Sequence, residues 1–316
     1  MKKFRDILVY AEIDDADCIA RVVRLARAHG AAITLCEVVE PPPRTKDGRG
    51  VVERVSKLLA ARASRRLRTL CEQFANEILD FSVFSGEHYL AITQQVVAQN
   101  YDLVVHISEP LHEGTGTGLN ATGMHLMRKC PCTVWALHPA RSPDRSDVVL
   151  ALDREVAAET TVADAFAMTL AESAVSLAMA GGGQLHLVHA WRPYGHELLD
   201  DPELRLTIEE QDLYRRQQRK DTELWFRRIT QRIESIAPEE LAVHTRLMEG
   251  PSASSVLATL EEAGAGTLVL GTVGTSANPG VLIGLTTESI LAACDTSVLV
   301  LKPPGFVSPL ARGFQD

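Results

Sequence analysis

Three glycines in the second half of the chain, Gly271, Gly274 and Gly284, stand in the arrangement Gly-x2-Gly-x9-Gly inside LVLGTVGTSANPGVLIGLTTESILAACDTSVLVLKP, residues 268–303. Glycine lets a backbone approach a ligand closely and adopt positive φ without steric cost. A strand that runs into such a loop, and then into a helix from about Thr286, directs several unpaired N–H groups toward one point. The chemistry this suits is the binding of a phosphate or another anion. Thr286 and Thr287 could add hydroxyls, although the ordinary role of threonine there is helix capping. Residues 275–283 contain no Lys or Arg, so a triphosphate would rely on backbone N–H groups and bound Mg²⁺.

Other residues capable of chemistry form weaker patterns. Cys130-Pro131-Cys132 has one intervening residue, unlike a thioredoxin-type C-x-x-C, and no second Cys/His pair at zinc spacing accompanies it. Cys294 recurs at the equivalent place, which favours a small buried residue at a turn. His186 and His189 are three apart on one strand and should point to opposite faces, against a joint metal site. His106, His112 and His125 read as polar surface or pocket lining, and Arg128-Lys129 as solvated charge. Walker-type, nucleophile-elbow and H-E-x-x-H motifs are absent, so no catalytic residue is assigned.

The elements that must position these residues come as a repeat. Ile7–Glu12 resembles Val148–Asp153 at an offset of 141 residues, and Ile33–Val38 resembles Leu185–Ala190 at 152. Val83–Gly86, Leu103–His106 and Cys130–Leu137 then match Leu247–Gly250, Thr267–Leu270 and Cys294–Leu301, all at 164. An offset that grows in two steps and then holds is what two insertions in the second copy produce. Each copy has five short runs rich in Val, Leu and Ile, separated by amphipathic segments such as Cys18–His29, Val51–Ile78 and Tyr89–Asn100. That alternation predicts α/β units around a parallel sheet buried on both faces. The long segment Pro202–Ile236, dense in Arg, Glu and Gln, reads as a helix with a solvated face. Pro41–Gly50 reads as a loop, and the pattern breaks near Pro139–Ser146. The division is therefore 1–141, 145–304 and a tail at 305–316.

The glycine spacing, after a VLG-type strand and before a SVLVLKP strand, resembles the universal stress protein family. VVLALD and LHLVHAW extend the likeness, and the segments DLVVHIS, MHLMRKCPCTVW and LGTVGTS are most similar to its tandem E-type subgroup. The resemblance covers nearly the whole chain as two modules. It implies two five-stranded parallel-sheet sandwiches of the adenine nucleotide alpha hydrolase-like type, joined through their last strands, where Trp135 and Val298–Leu301 lie, as an internal pseudo-dimer. It also implies an adenine nucleotide, ATP with Mg²⁺, in the second module, with Asp153 and the Ala190 backbone at the base and Gly271, Gly274 and Gly284 at the phosphates. Leu285 stands where ATP-binding members carry Ser or Thr. In the first module Ile107 and Asn120 replace the outer glycines, so nucleotide binding is not expected there; Glu12 either keeps a hydrogen-bonding role or is merely exposed.

The expected function is a non-enzymatic stress-response factor or ligand sensor. The alternatives are a slow ATPase and a binding module for an apolar ligand. A net charge of −9 argues against nucleic-acid and anionic-membrane partners. Six unframed cysteines, a short N-terminal apolar stretch and no apolar run near 20 residues lead to the expectation of a soluble cytoplasmic protein, with further homodimerisation left open.

Overall fold

The computed structural model describes residues 4–42, 49–74, 80–108, 119–139, 146–154, 160–272 and 283–310. The first half runs β1 (Asp6–Ala11), α1 (Ala16–His29), β2 (Ala32–Val39), α2 (Arg49–Gln73), β3 (Asp80–Ser85), α3 (His88–Gln99), β4 (Leu103–Ile107), α4 (Ala121–Lys129) and β5 (Thr133–Leu137). The second half repeats it as β6 (Val148–Ala151), α5 (Thr160–Gly181), β7 (Leu185–Trp191), α6 (Ile208–Ile236), β8 (Val243–Glu249), α7 (Ser252–Ala263), β9 (Thr267–Gly271), α8 (Leu285–Ala293) and β10 (Ser297–Leu301).

The ten strands among the described residues join one sheet in the order β3-β2-β1-β4-β5-β10-β9-β6-β7-β8. Neighbours are parallel except at the centre, where β5 and β10 run antiparallel with Trp135 opposite Leu299. The ladder registers obey the sequence offsets: Ile7 pairs with Leu103 and Ile33, and Val148 pairs with Thr267 and Leu185. Each half reverses its strand order beside the first strand, between β1 and β4 and between β6 and β9. In open parallel sheets that reversal opens a crevice at the carboxyl ends of the strands.

The central strands are continuous apolar runs because both of their faces are covered. Ile7, Val9, Val105 and Val269 pack under α1, α2, α5 and α6. Leu8, Val104, Leu268 and Val298 pack under α3, α4, α7 and α8. Each such fully buried side chain stabilises the fold by roughly 1.5–3 kcal/mol. Local signals set the helix ends. Asp15 accepts from Cys18 N at 2.7 Å to start α1, and Gly30 stops it at φ 66°. Thr207 and Glu210 form a capping box that starts α6, so this helix begins later than the Pro202 read from composition. Its polar surface is interrupted by a buried stripe of Trp225, Phe226, Ile229 and Ile233.

Several expectations need correction. Residues 161–181 of α5 are on average apolar enough, and long enough, to cross a membrane, yet they include Asp164 and Glu172 and 61% of that window is buried in the core. Arg128 is not simply solvated: it forms an ion pair with Glu288, tying α4 to α8. Lys129 lies 4.4 Å from the Tyr89 ring centre. The structure adds that the described part of the C-terminal tail is packed: Ser308 is buried and donates to Lys129 O at 2.6 Å. Arg21 of α1 also crosses between the halves, donating to Thr267 Oγ1 at 3.0 Å and lying 5.6 Å from the Trp135 ring centre.

Candidate functional site

At the crevice of the second half lies a cavity of about 400 Å³, within the range of small-molecule sites. Ala151 at the end of β6 and Asp153 just beyond it border the cavity, with Ala190 on β7, Ser252 and Val256 on α7, Leu270 and Gly271 on β9, and Gly284, Leu285, Thr286 and Thr287 at the start of α8. Phe166 and Leu170 of α5 complete an apolar wall. Six of the seven residues singled out in the sequence thus meet at one place. The seventh, Gly274, lies outside the described residues.

The floor of the cavity is held rigidly. His189, buried beside Ala190, lies 2.9 Å through Nδ1 from Leu152 O. Burial pushes its imidazole below the ordinary histidine range, which favours the neutral ring. Thr287 Oγ1 donates to Gly271 O at 3.0 Å, pinning the first turn of α8 to the end of β9. Gly284 N donates to Thr272 O at 2.7 Å and fixes the residue that caps α8. A glycine cap has no side chain to accept the first N–H groups of the helix. Among the described residues no side chain caps those donors, and with the dipole behind them they suit an anion. Among the described lining residues there is no Lys or Arg, and none of the described residues groups three or more acidic, His or Cys side chains that could hold a metal. A divalent cation here would be carried by a ligand's own phosphates.

The same location in the first half is filled by the protein's own side chains. At the repeat offsets, Ala151, Asp153, Ser252, Leu270 and Gly284 correspond to Tyr10, Glu12, His88, His106 and Asn120. These five larger residues contact one another. Tyr10 stacks on His106 with ring centres 5.5 Å apart, and its hydroxyl lies 3.3 Å from His88 Nδ1. His106 Nε2 is 3.1 Å from Glu12 Oε1, close enough for ion pairing though outside hydrogen-bond geometry. Asn120 Nδ2 donates to Glu12 Oε2 at 2.7 Å, while Asn120 Oδ1 accepts from Gly123 N at 2.9 Å and caps α4. Burial raises the Glu12 pKa, but His106 and Asn120 outweigh it and hold the carboxyl below its usual range. Burial first, and then the Glu12 charge, drive the Tyr10 phenol well above its usual value. A Cβ at Gly123 would come within 3.1 Å of His106 Nδ1, so glycine there makes room for the histidine.

His106 was read from sequence as surface or pocket lining, yet it is fully buried and belongs to this plug. His112 lies outside the described residues. His125 stacks on Tyr89 with ring centres 4.3 Å apart. His186 meets Asp147 Oδ2 at 3.2 Å and stacks on His244, away from His189. Glu12, His106 and Asn120 were each noted in the sequence, but Tyr10 and His88 were not, and the residue types suggest no motif that would join the five. Comparing each lining position with its counterpart across the repeat would have exposed the exchange of small for large side chains.

The ten described strands in two repeated halves, with a ligand-sized cavity at one strand-order reversal, define a tandem α/β protein. Residues 4–138 and 148–302 both match the model of the universal stress protein family, and the chain belongs to that family. It is 26% identical over 235 residues to universal stress protein E of Photorhabdus laumondii, an alignment covering 72% of this chain and 70% of that protein. It is 22% identical over 332 aligned positions to universal stress protein E of Salmonella typhi, with 100% of both chains covered. The fold matches that of a universal stress protein from Archaeoglobus fulgidus, with TM-score 0.62, 16% identity and coverage of 94% of this chain and 98% of that one. A functionally unknown protein from Pseudomonas aeruginosa PAO1 matches with TM-score 0.66 and 20% identity, over 99% of this chain and 96% of that one.

Proposed function

We propose that this chain is a non-enzymatic sensor that binds an adenine nucleotide, with Mg²⁺ on its phosphates, in the second half alone. The observation that carries the reading is the contrast between Gly284, whose helix start has no side-chain cap, and Asn120, which caps its own helix and bonds Glu12. Asp153 would accept from the base, and the Ala190 backbone would lie beside it. Gly271, Gly274 and Gly284 would let backbone approach the phosphates, with N–H groups at Leu285, Thr286 and Thr287 as donors. The Thr287 hydroxyl already bonds Gly271 O, so the Thr286 hydroxyl is the better candidate for direct contact. No acid, base and nucleophile converge on the described lining, which supports sensing over hydrolysis.

A second reading is favoured by one residue. Leu285 is 85% exposed at the rim of a largely aliphatic wall, which suits an apolar ligand. Titration of the purified protein with ATP and Mg²⁺ by calorimetry tests the first reading, and native mass spectrometry of the protein as purified tests the second. Saturable ATP binding that Gly284→Asn weakens at least about tenfold supports the nucleotide. A co-purified apolar compound that competes with ATP, or no ATP binding at all, overturns it.

The two modules, taken as 1–141 and 145–304, would then play unequal parts: one holds ligand and the other completes the sheet as its internal partner. Such a chain would work in the cytoplasm without nucleic-acid or membrane partners, and its outer strands leave further homodimerisation to be measured by light scattering.

A further inference from the structure

The turn between α4 and β5 carries chemistry unconnected with the cavity. Cys130 Sγ and Cys132 Sγ lie 3.5 Å apart, and neither is in a disulfide. Cys130 is fully buried, whereas Cys132 is partly exposed. Pro131 between them restricts the turn. Beside the pair lies Lys302, which directly follows β10 and donates through Nζ to Met127 O at the end of α4. Ser308 donates to Lys129 O in the same turn of that helix. The thiols therefore sit where the chain's end fastens onto the first half.

The repeat supplies an internal control. In the second half the same turn reads Cys294-Asp295-Thr296, and Cys294 Sγ lies 3.1 Å from Thr296 Oγ1. This turn thus accommodates a hydroxyl where the first half has its second sulfur. Packing alone does not call for Cys132.

We propose that Cys130 and Cys132 are a redox modification site, forming a reversible intramolecular disulfide when a hydroperoxide reaches the sulfur pair from the partly exposed side of Cys132. One sulfur, as thiolate, attacks the peroxide O–O bond and becomes a sulfenic acid, and the departing oxygen leaves as water or alcohol after taking up a proton. The second thiol then attacks that sulfur, the S–O bond breaks, and water leaves. Two thiols are oxidised by two electrons, and one hydroperoxide is reduced. The sulfurs must close from 3.5 Å to about 2.05 Å, which side-chain rotation about this turn must supply.

The electrostatics assist the first step. Burial works against a thiolate at either sulfur, but donation from Cys132 to Cys130 and the Lys302 charge favour loss of one proton, leaving the second hard to remove. The retained proton lies between the sulfurs. Cys130 is the sulfur favoured as thiolate, and Cys132 keeps its proton. Burial pushes the Lys302 amine down to about 8, and the sulfurs act in the opposite direction.

The test treats the reduced full-length protein with hydrogen peroxide, alkylates the remaining thiols, and examines the tryptic peptide 130–141 by mass spectrometry. The expected product is that peptide two hydrogens lighter and unalkylated, restored to two alkylated thiols by dithiothreitol. Cys132→Thr copies the second-half turn, should fold, and should lose the product. Two alkylated cysteines after peroxide, oxidation that stops at sulfinic acid, or a disulfide to another chain would each overturn the proposal.

Discussion

Asn120 Nδ2 donates to Glu12 Oε2 at 2.7 Å, and the residues equivalent to this pair in the second half, Gly284 and Asp153, both line the open cavity. One pair of positions therefore closes a site in the first copy and opens it in the second. The exchange is coordinated, because Tyr10, His88 and His106 stand where the second copy has Ala151, Ser252 and Leu270.

Gly284→Asn should transfer the closed arrangement to the second half. Gly284 has φ −77° and ψ 151°, near the −75° and 175° of Asn120, so an L-residue fits without strain. Among the described residues, a Cβ there meets only Thr272 O, at 3.5 Å. Asparagine as cap should stabilise α8 by a few tenths of a kcal/mol over glycine. Nucleotide affinity should fall at least about tenfold, the equivalent of ~1.4 kcal/mol, because the side chain takes the N–H groups meant for phosphate. Calorimetric titration beside thermal denaturation checks both signs, and parallel loss of stability and binding would count against the model.

Asn120→Ala should act on stability alone. The lost cap costs about 1 kcal/mol. The Glu12 contact adds only a fraction of a kcal/mol, because that carboxylate is partly solvent-exposed. Urea denaturation should show the loss, while the Glu12 carboxyl, followed by NMR, should titrate at higher pH than in the parent. Nucleotide binding in the second half should be unchanged.

Thr286 and Thr287 look alike in the sequence but should separate by mutation. Thr287→Val removes the 3.0 Å bond to Gly271 O and should cost about 1 kcal/mol of stability. Thr286 is exposed at the rim, and Thr286→Val should stay within about 0.5 kcal/mol while weakening nucleotide binding. Denaturant melts and titrations of the two variants, side by side, decide the assignment.

Much of this fold was legible because its signals are local and repeated. Apolar strands such as LVVHI and TLVLG, buried on both faces, fixed the alternation, and constant offsets aligned the two copies. Gly271 and Gly284 were singled out by their spacing, which reflects backbone geometry, and Asp153 and Ala190 by the family resemblance; all four border the cavity. The plug around Glu12 was not legible: its members come from β1, α3, β4 and the start of α4, and only the folded sheet brings them together. Arg128 was misread for a related reason, since its partner Glu288 is 160 residues away. The Cys130-Pro131-Cys132 turn was read as structural, and sequence alone could not provide the sulfur separation or the approach of Lys302.

Acid should destabilise the protein in two separate windows. Burial depresses the pKa of His138 and His189 below the ordinary 6.5, so the folded state disfavours their protonation while the unfolded chain accepts it. The sign follows from linkage: between each folded pKa and 6.5 the unfolded state binds more protons, so their contribution is full above 6.5 and declines as pH falls below it. Glu12 has a lowered pKa because the neighbouring His106 and Asn120 outweigh burial; its contribution is present above 4.5 and is lost as pH falls through its folded value. Both effects reduce stability toward acid, but the histidines should act first. Urea melts from pH 7.5 to 4 should therefore show a decline beginning near 6.5, steepening below about 4.5. His189→Asn should flatten the upper part of that decline and Glu12→Gln the lower part. A parent profile flat between 6.5 and 5 would contradict the assignment of buried neutral imidazoles.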